Sequence, residues 1–305
     1  MNGYSRREFL QCLIGLGIIP FIPAHAEEPR TRILKRIPSS GELLPVIGMG
    51  SSRTFNVGNN MVERAIRVEI LRTFFAHGGA MIDSSPMYGS SEEVIGYCLS
   101  QLRNKNNLFA ATKVWTLGKN RGIRQMQRSE KLWGVGRFDL MQIHNMLDWR
   151  KHLSTLKNWK DQGNIRYIGI TTSHGRRHEK LIKVIKSEPF DFFQFSYNIL
   201  DRKAEQYLLP LAKEHGIAVI INRPFQRGSL FKYVKGKPLP DWAGEFDCEN
   251  WAQFFLKFII SHPAVTCVIP ATSKVAHMQE NMGAGFGELP DAEMRLRMIR
   301  HFEKL

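Results

Sequence analysis

The chain has 305 residues, a length at which a single large α/β barrel is common. Its 43% hydrophobic and 23% charged residues are an ordinary globular balance and exclude a disordered chain. The net charge of +15 favours anionic partners, yet the basic residues are spread along the whole length with no basic-aromatic tract, which argues for no nucleic acid as a partner.

Residues 1–26 read as an export leader. "SRREFLQCLIGLGIIPFIPAHA" holds Arg6 and Arg7, an apolar run to Ile22, and the small-x-small ending Ala24-His25-Ala26. The run is too short for a bilayer core of about 30 Å, so cleavage is expected. Arg6-Arg7 followed by Phe9 and Leu10 resembles the bacterial twin-arginine signal. That resemblance implies the twin-arginine export machinery as a partner, a periplasmic location and no stable membrane anchor after cleavage. Beyond the leader remain Cys98, Cys248 and Cys267, with no CxxC spacing, so buried thiols are expected and not a disulfide framework.

Residues 27–305 are expected to form one domain in which apolar runs alternate with amphipathic stretches. A strand at 43–50 precedes the helical pattern "NMVERAIRVEILRTFFAHGG", whose glycine pair suits a C-cap. A strand at 80–83 precedes "SSEEVIGYCLSQLR", opened by Ser90 to Glu93, which suit a helix N-terminus. Strands at 108–114, 139–144, 165–171, 190–196 and 217–222 follow, each trailed by a helix-like segment. A last strand at 265–270 precedes "VAHMQENMGA" and "PDAEMRLRMIRHFEKL". Near-continuous apolar runs suit parallel strands buried on both faces. Eight such units without a linker predict an α/β fold, a closed (β/α)8 TIM barrel. "GAGFGE" (283–288) echoes a phosphate loop, but no strand leads into it, so it reads as a helix ending.

Chemistry in such a barrel gathers at the C-terminal ends of the strands. Asp83 ends the second strand, Tyr88 stands in the turn beyond, Lys113 lies on the third and His144 ends the fourth. An ammonium near a phenol lowers its pKa, and a carboxylate beside the ammonium keeps it charged. Tyr88 is thus expected as an acid, acidified by Lys113, with Asp83 holding Lys113 and His144 orienting a substrate oxygen.

"MIDSSPMYG", "ATKV" and "LMQIHN" resemble the tetrad motifs of the aldo-keto reductase superfamily, over essentially the whole chain beyond the leader. The resemblance implies NADP(H) as cofactor and reduction of a small carbonyl substrate, an aldehyde or ketone, to an alcohol. It places cofactor contacts at Gly50 and Ser51 after strand one and at Thr171 and Thr172, where Ser-Asn commonly holds the carboxamide. Gln194 in "FQFSYN" matches the family glutamine. Pro224, Phe225, Arg227 and Gly228 in "NRPFQRGSL" match the loop around the pyrophosphate. In "IPATSKVAHMQEN", Ser273 and Lys274 would meet the 2′-phosphate, with His277 nearby, while Glu280 and Asn281 would hold the adenine.

Departures accompany the match. Asn222 stands where an aromatic usually stacks on the nicotinamide, with Arg223 after it, and Ser52 stands where many members have tryptophan. The sequence lacks the long C-terminal tail of many relatives, so an open pocket bounded by loops near 53–60, 115–119 and 231–246 is expected. A non-catalytic nucleotide-binding barrel serving as a partner or regulatory subunit is the alternative reading. "HGRRH" spaces His174 and His178 four apart, but the arginines between them repel a cation, and no metal site is expected.

Overall fold

The apolar runs of the sequence become the inner wall of a barrel in the computed structural model, which describes residues 30–105, 107–173 and 177–305. The expected leader at 1–26 and His174 lie outside the described residues. The segment Thr31–Leu305 forms one compact unit. It opens with an antiparallel hairpin of β1 (Leu34–Arg36) and β2 (Leu43–Pro45). The barrel strands are β3 (Met49–Gly50), β4 (Met81–Asp83), β5 (Phe109–Val114), β6 (Phe138–Ile143), β7 (Ile165–Thr171), β8 (Phe192–Ser196), β9 (Ala218–Asn222) and β10 (Cys267–Val268). They pair in parallel in chain order.

Backbone bonds close the ring between its first and last strands: Gly48 N to Val268 O (2.9 Å), Val268 N to Val46 O (2.9 Å) and Gly50 N to Pro270 O (3.0 Å). The seam needs glycine, since a Cβ at Gly50 would lie 2.9 Å from Ile269 O. Around the strands run α1 (Met61–Ala76), α2 (Ser91–Ser100), α3 (Lys119–Trp133), α4 (Trp149–Asp161), α5 (His178–Ser187), α6 (Leu208–Glu214), α7 (Leu230–Tyr233), α8 (Trp251–Ile260), α9 (Val275–Gly283) and α10 (Ala292–Phe302).

Two differences from the sequence reading have local causes. The expected strand 43–50 serves two sheets, its first residues in the hairpin and its last in the barrel. The helix-like segment expected between the strands at 190–196 and 217–222 is a 3-10 turn at Lys203–Glu205 followed by α6, so that Pro210 falls in a first turn, where its missing N–H costs nothing.

Strand parity divides the core. Met81, Phe109, Ala111, Leu140, Tyr167, Phe192, Ala218, Ile220 and Cys267 form an inner cluster joined by Ile37 and Leu44 of the hairpin segment. Ile82, Ala110, Val114, Met141, Ile168, Phe193 and Val219 belong to the larger cluster packed against the helices. Side chains alternate along a strand. Counting on by twos from the inner cluster therefore carries Asp83, Lys113, Gln142, His144, Thr171, Gln194 and Asn222 to the inner face at the other end.

Candidate active site

Four expected residues meet where those strands end. Lys113, with no exposed surface, places Nζ 2.5 Å from Asp83 Oδ2 and donates to Ser84 O at 2.8 Å. The other Asp83 oxygen accepts from Gln142 Nε2 (2.7 Å) and Gln194 Nε2 (3.0 Å). Gly169 makes room for Gln142, because a Cβ there would lie 2.7 Å from its Cγ. Burial alone would lower the Lys113 pKa, but Asp83 and the neighbouring Tyr88 outweigh it and hold the ammonium above the ordinary lysine value.

Tyr88 closes a 3-10 turn, Pro86–Tyr88. Ser85 caps it, accepting from Met87 N at 3.1 Å, with Pro86 at the first position, where it suits a helix start. Gly89 follows at φ 62, and a Cβ there would lie 2.4 Å from Asn56 Oδ1, so glycine is required. Lys113 Nζ stands 5.4 Å from the centre of the Tyr88 ring. The expectation that Lys113 leaves this phenol unusually acidic is corrected here. Burial is the largest influence and raises the Tyr88 pKa, Lys113 lowers it, Asp83 raises it and Arg223 lowers it, and the balance lies above the ordinary tyrosine value.

His144 packs edge-on against Tyr88, ring centres 5.7 Å apart, with Nδ1 2.8 Å from Ser85 Oγ. Burial first, then Lys113 and Arg177, push its pKa down to about 3, so the imidazole is neutral near pH 7. Ser85 Oγ accepts from Met87 N, and its own proton can be donated to Nδ1 in the tautomer that leaves this nitrogen bare. The ring then carries its own proton on Nε2, as a donor to the cavity it lines.

That cavity measures about 920 Å³. Asp83, Tyr88, His144, Gly50, Ser51, Thr171 and Gln194 lie on its wall. So do Pro224, Phe225, Arg227 and Gly228 from the segment after β9, and His277, Glu280 and Asn281 from α9. Lys113 sits behind the wall, reaching the site through Asp83 and Tyr88. Thr172, fully buried just past the end of β7, is not on the wall, and its Oγ1 has no hydrogen-bond partner among the described residues. Ser273 and Lys274 are exposed beside the wall, Lys274 at the N-cap of α9. Of the loops expected to bound the pocket, Arg53, Thr54 and Phe231 reach the wall, while Trp115 lies with its ring centre 6.5 Å from that of His144. His178 opens α5 with its ring 6.2 Å from that of Phe195.

Sequence reasoning gave no role to Ser85, Gln142, Asn145 or Ser173. Parity was the available signal for Gln142, and Asn222 is recovered by the same count, with Nδ2 3.4 Å from Gln194 Oε1. Asn145 adopts φ 55, and its Oδ1 is buried without a hydrogen-bond partner among the described residues.

The match to known proteins covers this whole arrangement. The model of the aldo/keto reductase family matches residues 46–297. The chain belongs to the aldo/keto reductase family. This aldo/keto reductase is 26% identical over 268 residues to the methylglyoxal reductase YeaE of Escherichia coli (strain K12), covering 86% of this chain and 93% of that one. It is 26% identical over 250 residues to an NADH-specific methylglyoxal reductase of the same organism, covering 69% of this chain and 73% of that one. An aldo-keto reductase from Klebsiella pneumoniae, solved in complex with NADPH, superposes with a TM-score of 0.74 at 20% identity, over 89% of this chain and 95% of that chain. That likeness is one of fold.

The aldo/keto reductase site suits a nicotinamide dinucleotide on its own chemistry. Asn145 Oδ1 is an unpartnered acceptor on the wall, of the kind a carboxamide N–H satisfies. Gln226, Arg227 and Gly228 follow one another at φ 50, 58 and 89, backbone held in the left-handed region where strain collects at ligand sites. Lys274 at a helix N-terminus, with Ser273 before it, suits a phosphate dianion.

Proposed function

We propose that the protein is an NADP(H)-dependent oxidoreductase that reduces a small aldehyde or ketone to an alcohol, with Tyr88 as proton donor. The observation that carries this reading is the meeting of Tyr88, a neutral His144 and the Lys113–Asp83 pair at one cavity of about 920 Å³. A bound nicotinamide supplies the hydride. Tyr88 gives its proton to the carbonyl oxygen, which His144 Nε2–H orients. Lys113, kept charged by Asp83, stabilises the phenolate as the proton leaves. Burial that holds the phenol protonated keeps the donor loaded before reaction.

Asn145, Thr171 and Gln194 are the groups for the carboxamide, and Pro224 to Gly228 for the pyrophosphate. Gly50 and Ser51 border the reacting end, Glu280 and Asn281 take the adenine, and Ser273, Lys274 and His277 take the 2′-phosphate. The last three support NADPH over NADH. The test is the loss of reduced-nicotinamide absorbance when purified protein meets short aldehydes with each nucleotide. Carbonyl-dependent oxidation, faster with NADPH, is expected. Tight nucleotide binding with no turnover of any carbonyl would favour the non-catalytic barrel.

The location proposed with this reading is periplasmic, after twin-arginine export and loss of residues 1–26. Replacing Arg6 and Arg7 by lysine should retain a reporter fused to residues 1–30 in the cytoplasm. Unchanged export would contradict the signal.

A further inference from the structure

The cavity wall carries three guanidinium groups that no carboxylate balances. Arg53 follows β3 at φ 68, Arg223 follows β9 at φ 52, and Arg227 stands four residues on at φ 58, all on the wall that holds Tyr88 and His144. None of the three has an ion-pair partner among the described residues. The carboxylates on the same wall are Asp83, committed to Lys113, and Glu280 on α9. Burial, then Arg227 and Arg53, disfavour the charge on Arg223, with Tyr88 opposing them. Guanidiniums that repel one another without a protein counter-charge are matched by an anionic ligand.

The pyrophosphate of a bound dinucleotide would offset much of that charge, so position, and not the sum of charges, distinguishes the three. Arg227 belongs to the segment assigned to the pyrophosphate. Arg223 is placed differently. Its Nη2 donates to Ser173 Oγ (3.2 Å), just past the end of β7, and its carbonyl is held by Asn198 Nδ2 (3.3 Å) and Gln226 N (3.1 Å). Those bonds fix a non-glycine residue in the left-handed region, a conformation of measurable cost that aims the side chain. It lines the cavity with Tyr88 and His144, and Asn222 just before it reaches Gln194, which donates to Asp83, so the residue stands toward the reacting end.

We propose that Arg223, assisted by Arg53, binds a carboxylate on the substrate, so that the preferred substrates are small oxo acids and not neutral aldehydes. This rests on the reductase reading and adds the substrate class to it. In the step the carbonyl carbon takes hydride from the reduced nicotinamide, which is oxidised. The oxygen takes the proton of Tyr88, and the carboxylate leaves unchanged as part of a hydroxy acid. A planar fork donating to a carboxylate fixes orientation as well as charge, which a neutral aldehyde of the same size cannot use.

The test compares two pairs of matched aldehydes on the full chain with saturating NADPH: glyoxylate against methylglyoxal, and 4-oxobutanoate against butanal. At least one acid should exceed its neutral partner in kcat/KM by about tenfold or more, and the advantage should shrink with added salt. Arg223→Gln should lower that acid-to-neutral ratio about tenfold, mainly through KM, and Arg223→Lys should restore part of it. Equal ratios in the unaltered protein would overturn the proposal. So would an Arg223→Gln variant that weakens NADPH binding and slows both members of a pair alike, which would assign the residue to the cofactor. Failure to turn over any of the four aldehydes would instead sink the reductase reading. Calorimetric titration of the nucleotide-loaded protein with oxamate then reads the arginine site alone. Saturable binding weakened by Arg223→Gln supports it, and no binding overturns it.

Discussion

Lys113 and Asp83 face each other at 2.5 Å with essentially no exposed surface on either side chain. Removing one partner strands the other charge with little or no exposure to water. Asp83→Asn should therefore lower stability by about 3–5 kcal/mol and abolish turnover, since Lys113 would shed its proton or lose its place. Lys113→Met should cost turnover as severely and leave Asp83 to its two glutamine donors. Denaturant unfolding alongside kinetics checks both variants. A stable, active Asp83→Asn protein would remove the pair from the account.

Ser85 acts on the reaction through His144. Its oxygen caps the Tyr88 turn and stands 2.8 Å from Nδ1, where a donated hydroxyl proton would favour the Nε2–H tautomer. Ser85→Ala should leave Nε2 protonated in only part of the population and loosen the Tyr88 turn, lowering kcat about tenfold with a smaller change in KM. Nitrogen chemical shifts of His144 should move toward the other tautomer. Unchanged shifts would mean that Ser85 serves only as a cap.

The pH dependence follows from two shifts of opposite kind. Tyr88 must be protonated to donate, and its raised pKa means that the donor is lost only as pH climbs past about 10. His144 stays neutral until pH falls toward about 3. The rate of the hydride step should be flat between about pH 5 and 9. A limb near about 6.5 would show a charged His144. Because an unfolded histidine takes its proton near 6.5 and the folded one near about 3, the fold should lose stability as pH falls through that window.

Much of this site was legible in the chain because parallel strands hold side chains to a period of two. Asp83 and His144 end apolar runs and Lys113 interrupts one near its end, and their convergence follows from barrel closure alone. The same period would have brought Gln142 inward, had it been counted through each strand. What sequence could not give was a balance of energies. The sign of the Lys113 effect on Tyr88 was readable, but its size against burial depends on how far packing closes around the phenol. Backbone strain was equally hidden: nothing in "NRPFQRGSL" announces that Arg223, Gln226 and Arg227 all take positive φ.

Tyr88→Phe removes the proposed proton donor alone, and its effect is read by single-turnover reduction of a small aldehyde by protein preloaded with NADPH. Nucleotide should still bind within about twofold of the unaltered protein, while hydride transfer slows by at least about a thousandfold. Hydride transfer at the unaltered rate, with nucleotide bound, would contradict that role.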